Sequence, residues 1–192
     1  VPFTHNPVSV FRGFDTFKGL NPVVKAPTLR SDDGSVLMDS SLILQYVEAV
    51  AGRGSLWPAE PAALLRALRQ VGLSLAACEK TAQIVYERGL RPPEKQHQPW
   101  VDRVSGQLLA AFEGLEQDLQ AAPLDVSSAQ ALGQAGISVA VAWHFTQQML
   151  PQVVPAAAHP RLVALSAAAE QLPEFIAAPY GEGSVTARPA GA

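Results

Sequence analysis

Hydrophobic positions along the chain change their spacing near residue 60. Up to there the apolar residues come in short runs punctuated by proline and glycine; beyond it they recur every three or four residues over long stretches, the period of one helix face. In the first part, residues 1–5 predict a short strand closed by the turn signal Asn6-Pro7. Phe11, Phe14 and Phe17 follow at a spacing of three, which predicts a helix or helical turn that Asn21-Pro22 ends. Thr28-Leu29-Arg30 and Val36-Leu37-Met38 predict a hairpin, with Asp33-Gly34 as its type I′ turn. Asp39 and Ser40 are both N-cap residue types. They precede a helix over residues 41–50, in which Leu42, Ile43, Tyr46 and Val47 carry the apolar repeat.

Residues 52–60, rich in glycine and proline, read as a linker. A helix over residues 61–88 follows, with Leu64, Leu68, Val71, Leu75, Cys78, Ala82 and Val85 on one stripe, stopped by Gly89 and Pro92-Pro93. Val101, Val104, Leu108, Phe112, Leu115 and Leu119 make the stripe of the next helix, over residues 94–120, whose first turns Pro99 is expected to bend. Two such helices joined by a tight turn should pack antiparallel. Residues 131–150 are apolar nearly all round, as suits a helix in the middle of a bundle. His159-Pro160 opens a last helix that Pro173 stops, Glu174-Phe175-Ile176 adds a short turn, and residues 179–192 read as a loose tail.

Composition narrows the function classes. Hydrophobic residues make up 48% of the 192 and charged ones 16%, which fits a compact helical protein better than a disordered one. A net charge of −3 without a Lys/Arg block offers no footprint for nucleic acid, and no apolar run is long enough for a membrane span. The single cysteine, Cys78, rules out an internal disulfide and lies on a helical stripe, so it is expected to pack as a small hydrophobe. His144 has no second histidine at metal-ligand spacing, and no metal site is expected. No phosphate loop, His-Glu-x-x-His, CxxC or Gly-x-Ser-x-Gly motif is present.

The candidate chemistry lies in two short stretches. Lys25-Ala26-Pro27 places a proline at the entrance to the first hairpin strand, where the X-Pro bond can be cis and the Ala26 backbone groups can turn outward. Asp39-Ser40 opens a helix, whose free N–H groups and dipole favour an anion. Together, and at this separation, they resemble the glutathione transferase family, bacterial type. Its members carry a [Lys/Gln/His]-Val-Pro element with a cis proline and a [Glu/Asp]-Ser pair at the next helix start; Leu56-Trp57-Pro58 also resembles its interdomain connection. The resemblance implies an α+β thioredoxin-like N-terminal domain over residues 1–51, followed by an all-α bundle over residues 61–178, mostly α overall. It implies glutathione bound by Lys25, Ala26, Asp39 and Ser40: the Ala26 backbone pairs with the cysteinyl unit, Ser40 receives the γ-glutamyl carboxylate, Asp39 receives the γ-glutamyl ammonium or holds the turn, and Lys25 supplies positive charge near a glutathione backbone or glycyl carboxylate.

Two departures stand out. The family's domain begins with a central strand and a crossover helix, roughly 25 residues that have no counterpart ahead of Val1, so the chain is expected to start partway through the natural protein. That piece normally carries the Ser, Tyr or Cys that activates the thiol, which leaves the catalytic residue unknown. The family's Ser/Thr-x-x-Asp box is replaced by Gly133-Gln134-Ala135-Gly136, a loss expected to weaken that helix start by about 0.5–2 kcal/mol. The function implied is thiolate attack of glutathione on a small hydrophobic electrophile, a cytoplasmic detoxification chemistry or a related isomerase or reductase reaction, by a homodimer. Gln83 and Tyr86 are candidates for the electrophile pocket. The alternative is a non-catalytic binding or structural protein of the same fold. A purely helical interaction module would leave the hairpin without a role.

Overall fold

The computed structural model describes residues 1–52 and 54–181. From residue 182 on, the expected tail lies outside the described residues, as does Arg53 of the expected linker. The chain divides into two compact units, one containing Val1–Ser55 and the other Leu56–Ile176.

In the first unit, helix α1 (Phe14–Leu20) inserts Phe17 into the interior, and Asn21 ends it. Strands β1 (Thr28–Arg30) and β2 (Val36–Met38) pair antiparallel, with Thr28 opposite Met38, Leu29 opposite Leu37 and Arg30 opposite Val36. Helix α2 (Ser40–Ala51) packs on both strands through partly buried Ile43 and Val47, and closes on Gly52 in the left-handed conformation. Leu42 and Tyr46, expected on the same inner stripe, are exposed.

Two expectations fail in this unit. Residues 1–5 form no strand: β1 and β2 pair only with each other, and an extended segment without a ladder partner among the described residues gains no backbone hydrogen bonds. Nor is the hairpin turn type I′, which needs positive φ at both central residues. Only Gly34 has it (φ 88°), and the loop is the longer one over residues 31–35, closed by Gly34 N–H to Ser31 C=O at 3.0 Å and Ser31 N–H to Ser35 C=O at 3.0 Å.

The second unit is all helical. Helix α3 (Pro61–Leu90) starts on Glu60, whose carboxylate accepts the N–H groups of Ala62 and Ala63 at 2.9 and 2.7 Å, and Pro61 occupies the position where a missing N–H costs nothing. A 3₁₀ turn, Pro93–Lys95, leads to α4 (Gln98–Ala121), which starts later than the expected residue 94, so Pro99 falls at its first positions, where its missing N–H needs no helical partner. Arg69 near the start of α3 pairs with Asp118 near the end of α4 at 3.0 Å, so the two run antiparallel. Helix α5 (Ala129–Met149) packs on α3, and α6 (Pro160–Ala169) on α4 and α5; Pro173 opens a final turn, α7 (Pro173–Ile176). The core holds every residue of the expected α4 stripe together with Ile84, Val139, Trp143, Val154 and Leu162. Trp143 meets Phe112 edge to face at 5.3 Å and the buried His159 ring at 5.4 Å.

On α3 the buried face is not the expected one. Ala67, Gln70, Ser74, Ala77, Thr81, Ile84 and Glu87 point inward, while Leu68 and Leu75 of the expected stripe are about half exposed, at 49% and 46%. Small residues let the α5 backbone come close, and the Thr81 hydroxyl bonds that of Thr146 on α5 at 2.8 Å. No helix among the described residues is long and apolar enough to cross a membrane.

Candidate functional site

The Ala26–Pro27 peptide bond is cis. Ala26 lies ahead of β1, so its N–H and C=O take no part in the ladder that begins at Thr28, and Lys25, Ala26 and Pro27 are all exposed. The buried side chain of Asn21, a residue whose local sequence signals only a helix stop, organises this loop. Asn21, 3% exposed, accepts the Val23 N–H at 3.0 Å and donates to Thr28 Oγ1 at 2.9 Å and Met38 Sδ at 3.5 Å. Thr28 Oγ1 in turn donates to the Lys25 C=O at 2.7 Å. Between these anchors Val24 is held at φ 52°, a region that β-branched residues avoid. The Asn21-Pro22 pair was the available signal, but its partners at 28 and 38 become neighbours only through the hairpin.

Asp39 is the N-cap of α2 and itself has φ 77°. Its Oδ1 accepts the Ser41 N–H at 3.0 Å, and its Oδ2 lies 3.1 Å from Lys25 Nζ. The bond from Lys25 and then that from Ser41 hold the Asp39 carboxyl below its ordinary value of 3.8, so it is an anion at neutral pH. Ser40, half-buried, is the first residue of α2. As at any helix start, the first N–H groups lack intrahelical acceptors; Ser41 is served by Asp39, which leaves those of Ser40 and Leu42 facing the N-terminal end. The four residues Lys25, Ala26, Asp39 and Ser40 thus belong to one unit, with Lys25 and Asp39 in direct contact.

Gln83 and Tyr86 belong to the second unit, on α3. Gln83 Nε2 donates to Glu79 Oε1 at 2.8 Å, while its Oε1 is buried with no hydrogen-bond partner among the described residues. Tyr86 is 46% exposed. Further along, Glu87, Arg91, His97 and Trp100 line a cavity of about 270 Å³. Both Glu87 oxygens are engaged there, one by the His97 N–H at 2.9 Å and one by Arg91 at 2.9 Å, so this carboxylate ties the end of α3 to the start of α4. Cys78 has its thiol pushed up by burial to about 11, which keeps it protonated and poorly nucleophilic at neutral pH. No group of three or more His, Cys, Asp or Glu among the described residues is arranged to hold a metal ion.

Known proteins similar to this chain share one family description. The model of the glutathione S-transferase N-terminal domain matches residues 1–55. A glutathione transferase family member from Pseudomonas fluorescens Pf-5, solved with bound S-(propanoic acid)-glutathione, is 31% identical over 82% of this chain and 78% of its own, with a TM-score of 0.72. A structure of a family member from the same organism with bound glutathione aligns over 90% of this chain and 82% of its own at 29% identity and a TM-score of 0.77. A glutathione S-transferase from Methylobacterium radiotolerans, in complex with glutathione sulfonate, shares the fold at 23% identity, over 96% of this chain and 84% of its own, with a TM-score of 0.73. The search of curated proteins gives no match.

Proposed function

The chain belongs to the glutathione transferase family, and from that premise we propose that it binds glutathione at Lys25, Ala26, Asp39 and Ser40 and supports attack of its thiolate on a small hydrophobic electrophile. The observation that carries this reading is the pairing, within one small unit, of an Ala26 backbone lying outside the hairpin ladder with a helix N-terminus whose cap contacts Lys25. An extended tripeptide pairs with such a backbone as an added strand does. The α2 N-terminus favours the γ-glutamyl carboxylate, which Ser40 binds through its hydroxyl and N–H. Asp39 takes the γ-glutamyl ammonium, and Lys25 the glycyl carboxylate.

In the reaction, the glutathione sulfur gives an electron pair to an electrophilic carbon, and the leaving group departs with its own pair or, in an addition, the neighbouring atom takes up a proton. Gln83, whose buried oxygen has no hydrogen-bond partner among the described residues, and Tyr86 are assigned to the electrophile side. The site residues are proposed to lie in a thioredoxin-like domain over residues 1–51, the helical domain to run over residues 61–178, and the protein to act as a cytoplasmic homodimer in detoxification. Exposed apolar residues on α2 (Leu42, Tyr46) in the one unit and, separately, on α3 (Leu68, Leu75) in the other support self-association.

Calorimetric titration of glutathione tests the site. Ser40→Ala removes one charge-assisted hydrogen bond worth about 1.5–3 kcal/mol, so the affinity should fall roughly tenfold to 150-fold. Equal affinities would remove Ser40 from the site. Glutathione binding without turnover of any electrophile would favour the second reading, a non-catalytic member of the fold.

A further inference from the structure

Asp39 divides its carboxylate between two duties. One oxygen caps α2 through Ser41, and the other takes the Lys25 ammonium. The ammonium is thus bound at the atom to which the proposed function brings the γ-glutamyl ammonium. Both side chains are half exposed, at 52% for Lys25 and 41% for Asp39, so water competes for the pair and it can exchange. The backbones behind them are fixed: Thr28 holds the Lys25 carbonyl, Asn21 holds Thr28, and Asp39 is tied into the helix cap. Exchange therefore needs only the four side-chain torsions of Lys25 to change.

We propose that the Lys25–Asp39 ion pair is a placeholder that makes the site select ligands charged at both ends. The inference rests on the proposed glutathione site. In the empty site, each residue satisfies the other. A ligand with an ammonium at one end and a carboxylate at the other replaces this one ion pair with two, ligand ammonium to Asp39 and Lys25 to ligand carboxylate. A ligand whose far carboxylate is missing, its γ-glutamyl carboxylate being taken by Ser40, must break the internal pair and leave Lys25 without a partner anion. Lys25 is then a specificity-determining residue that is neutral for a ligand charged at both ends and weakens one that lacks the far carboxylate, whereas a simple glycyl contact would strengthen the first and leave the second unchanged. The anionic state of Asp39, held by Lys25 first and Ser41 second, keeps the exchange available throughout the neutral range.

The test uses reduced glutathione and its glycyl monoethyl ester, which keeps the γ-glutamyl end and loses the glycyl charge, titrated into the wild-type chain, Lys25→Met and Lys25→Arg. Lys25→Met is expected to leave the glutathione affinity nearly unchanged while tightening the ester roughly 1.5-fold to fivefold, the range of an exposed ion pair, so that the preference for glutathione over the ester disappears. Lys25→Arg, which preserves the charge, should return the wild-type order of the two ligands. Ester binding that is unchanged or weaker in Lys25→Met overturns the placeholder while leaving the glutathione site intact. If the wild-type chain binds neither ligand, the proposed site itself falls, and the placeholder with it.

Discussion

Gly133 lies inside α5 at φ 66° and ψ 179°, a combination open essentially to glycine alone, and a Cβ there would sit 3.0 Å from the Leu56 carbonyl oxygen. That carbonyl accepts the Gln134 N–H at 3.0 Å, and Ser128 Oγ accepts the Ala131 N–H at 3.1 Å one turn earlier. Gly133 kinks α5, and each of the two segments has its own cap: Ser128 for the short one before the kink and the Leu56 carbonyl for the long one that begins at Gln134, in place of the absent capping box. Gly133→Ala should cost about 1–3 kcal/mol in urea denaturation, from the backbone conformation alone. Cys78 should react with a maleimide at neutral pH roughly a hundredfold more slowly than an unperturbed thiol, since a value of about 11 leaves little thiolate, and unfolding should restore the rate. The sign for stability follows: the unfolded thiol ionises near 9 and the folded one near 11, so its contribution declines as pH rises between them. Asp39 works in the other direction. With its folded value lowered, its cap and ion pair are at full strength above 3.8 and are lost as pH falls through the folded value. Lys25, Ala26, Asp39 and Ser40 were legible as a motif because proline geometry and helix capping are local. The part Asn21 plays was not, because its partners come from beyond the next turn.

At the level of elements, length was easier to read than orientation. The α3 period was plain over thirty residues, yet two stripes lie side by side on it, one of leucines and one of Ala67, Ser74, Ala77 and Thr81. Choosing the larger side chains as the interior ignored the close approach of α5, which only the small stripe permits. On α4 there was no such rival stripe, and all six expected positions are buried. A strand is harder still, since the pattern of residues 1–5 does not state whether a partner exists. The cap of α6 was also out of reach of a sequence window: Glu116 on α4 accepts the N–H groups of Arg161 and Leu162 at 2.8 and 3.0 Å. Glu116→Ala should lower the unfolding free energy by about 0.5–2 kcal/mol, with Glu116→Gln losing less because it keeps one acceptor oxygen. Thermal melts of the two variants against wild type decide this.

For the whole molecule, fold class and family were legible because the change in hydrophobic period near residue 60 and the paired motif both survive without an exact register. Assembly is a separate matter, and the half-exposed leucines of α3 provide its test. A stable dimer needs a total buried area on the order of 1,000 Å² or more, and a charge in the middle of such a surface opposes it. Sedimentation at micromolar concentration should give a dimer for the wild-type chain and a monomer for Leu68→Glu combined with Leu75→Glu; a wild-type monomer would dismiss the surface. The cap that Leu56 provides to Gln134 also has a kinetic consequence. It joins the start of one unit's sequence to the third long helix, so it closes a large loop and gains its energy only after α3 and α4 have come together. In a chevron experiment Gly133→Ala should therefore steepen the loss of the native state through a faster unfolding limb and leave the folding limb almost unmoved, which makes this carbonyl a brake on opening and not a guide to folding.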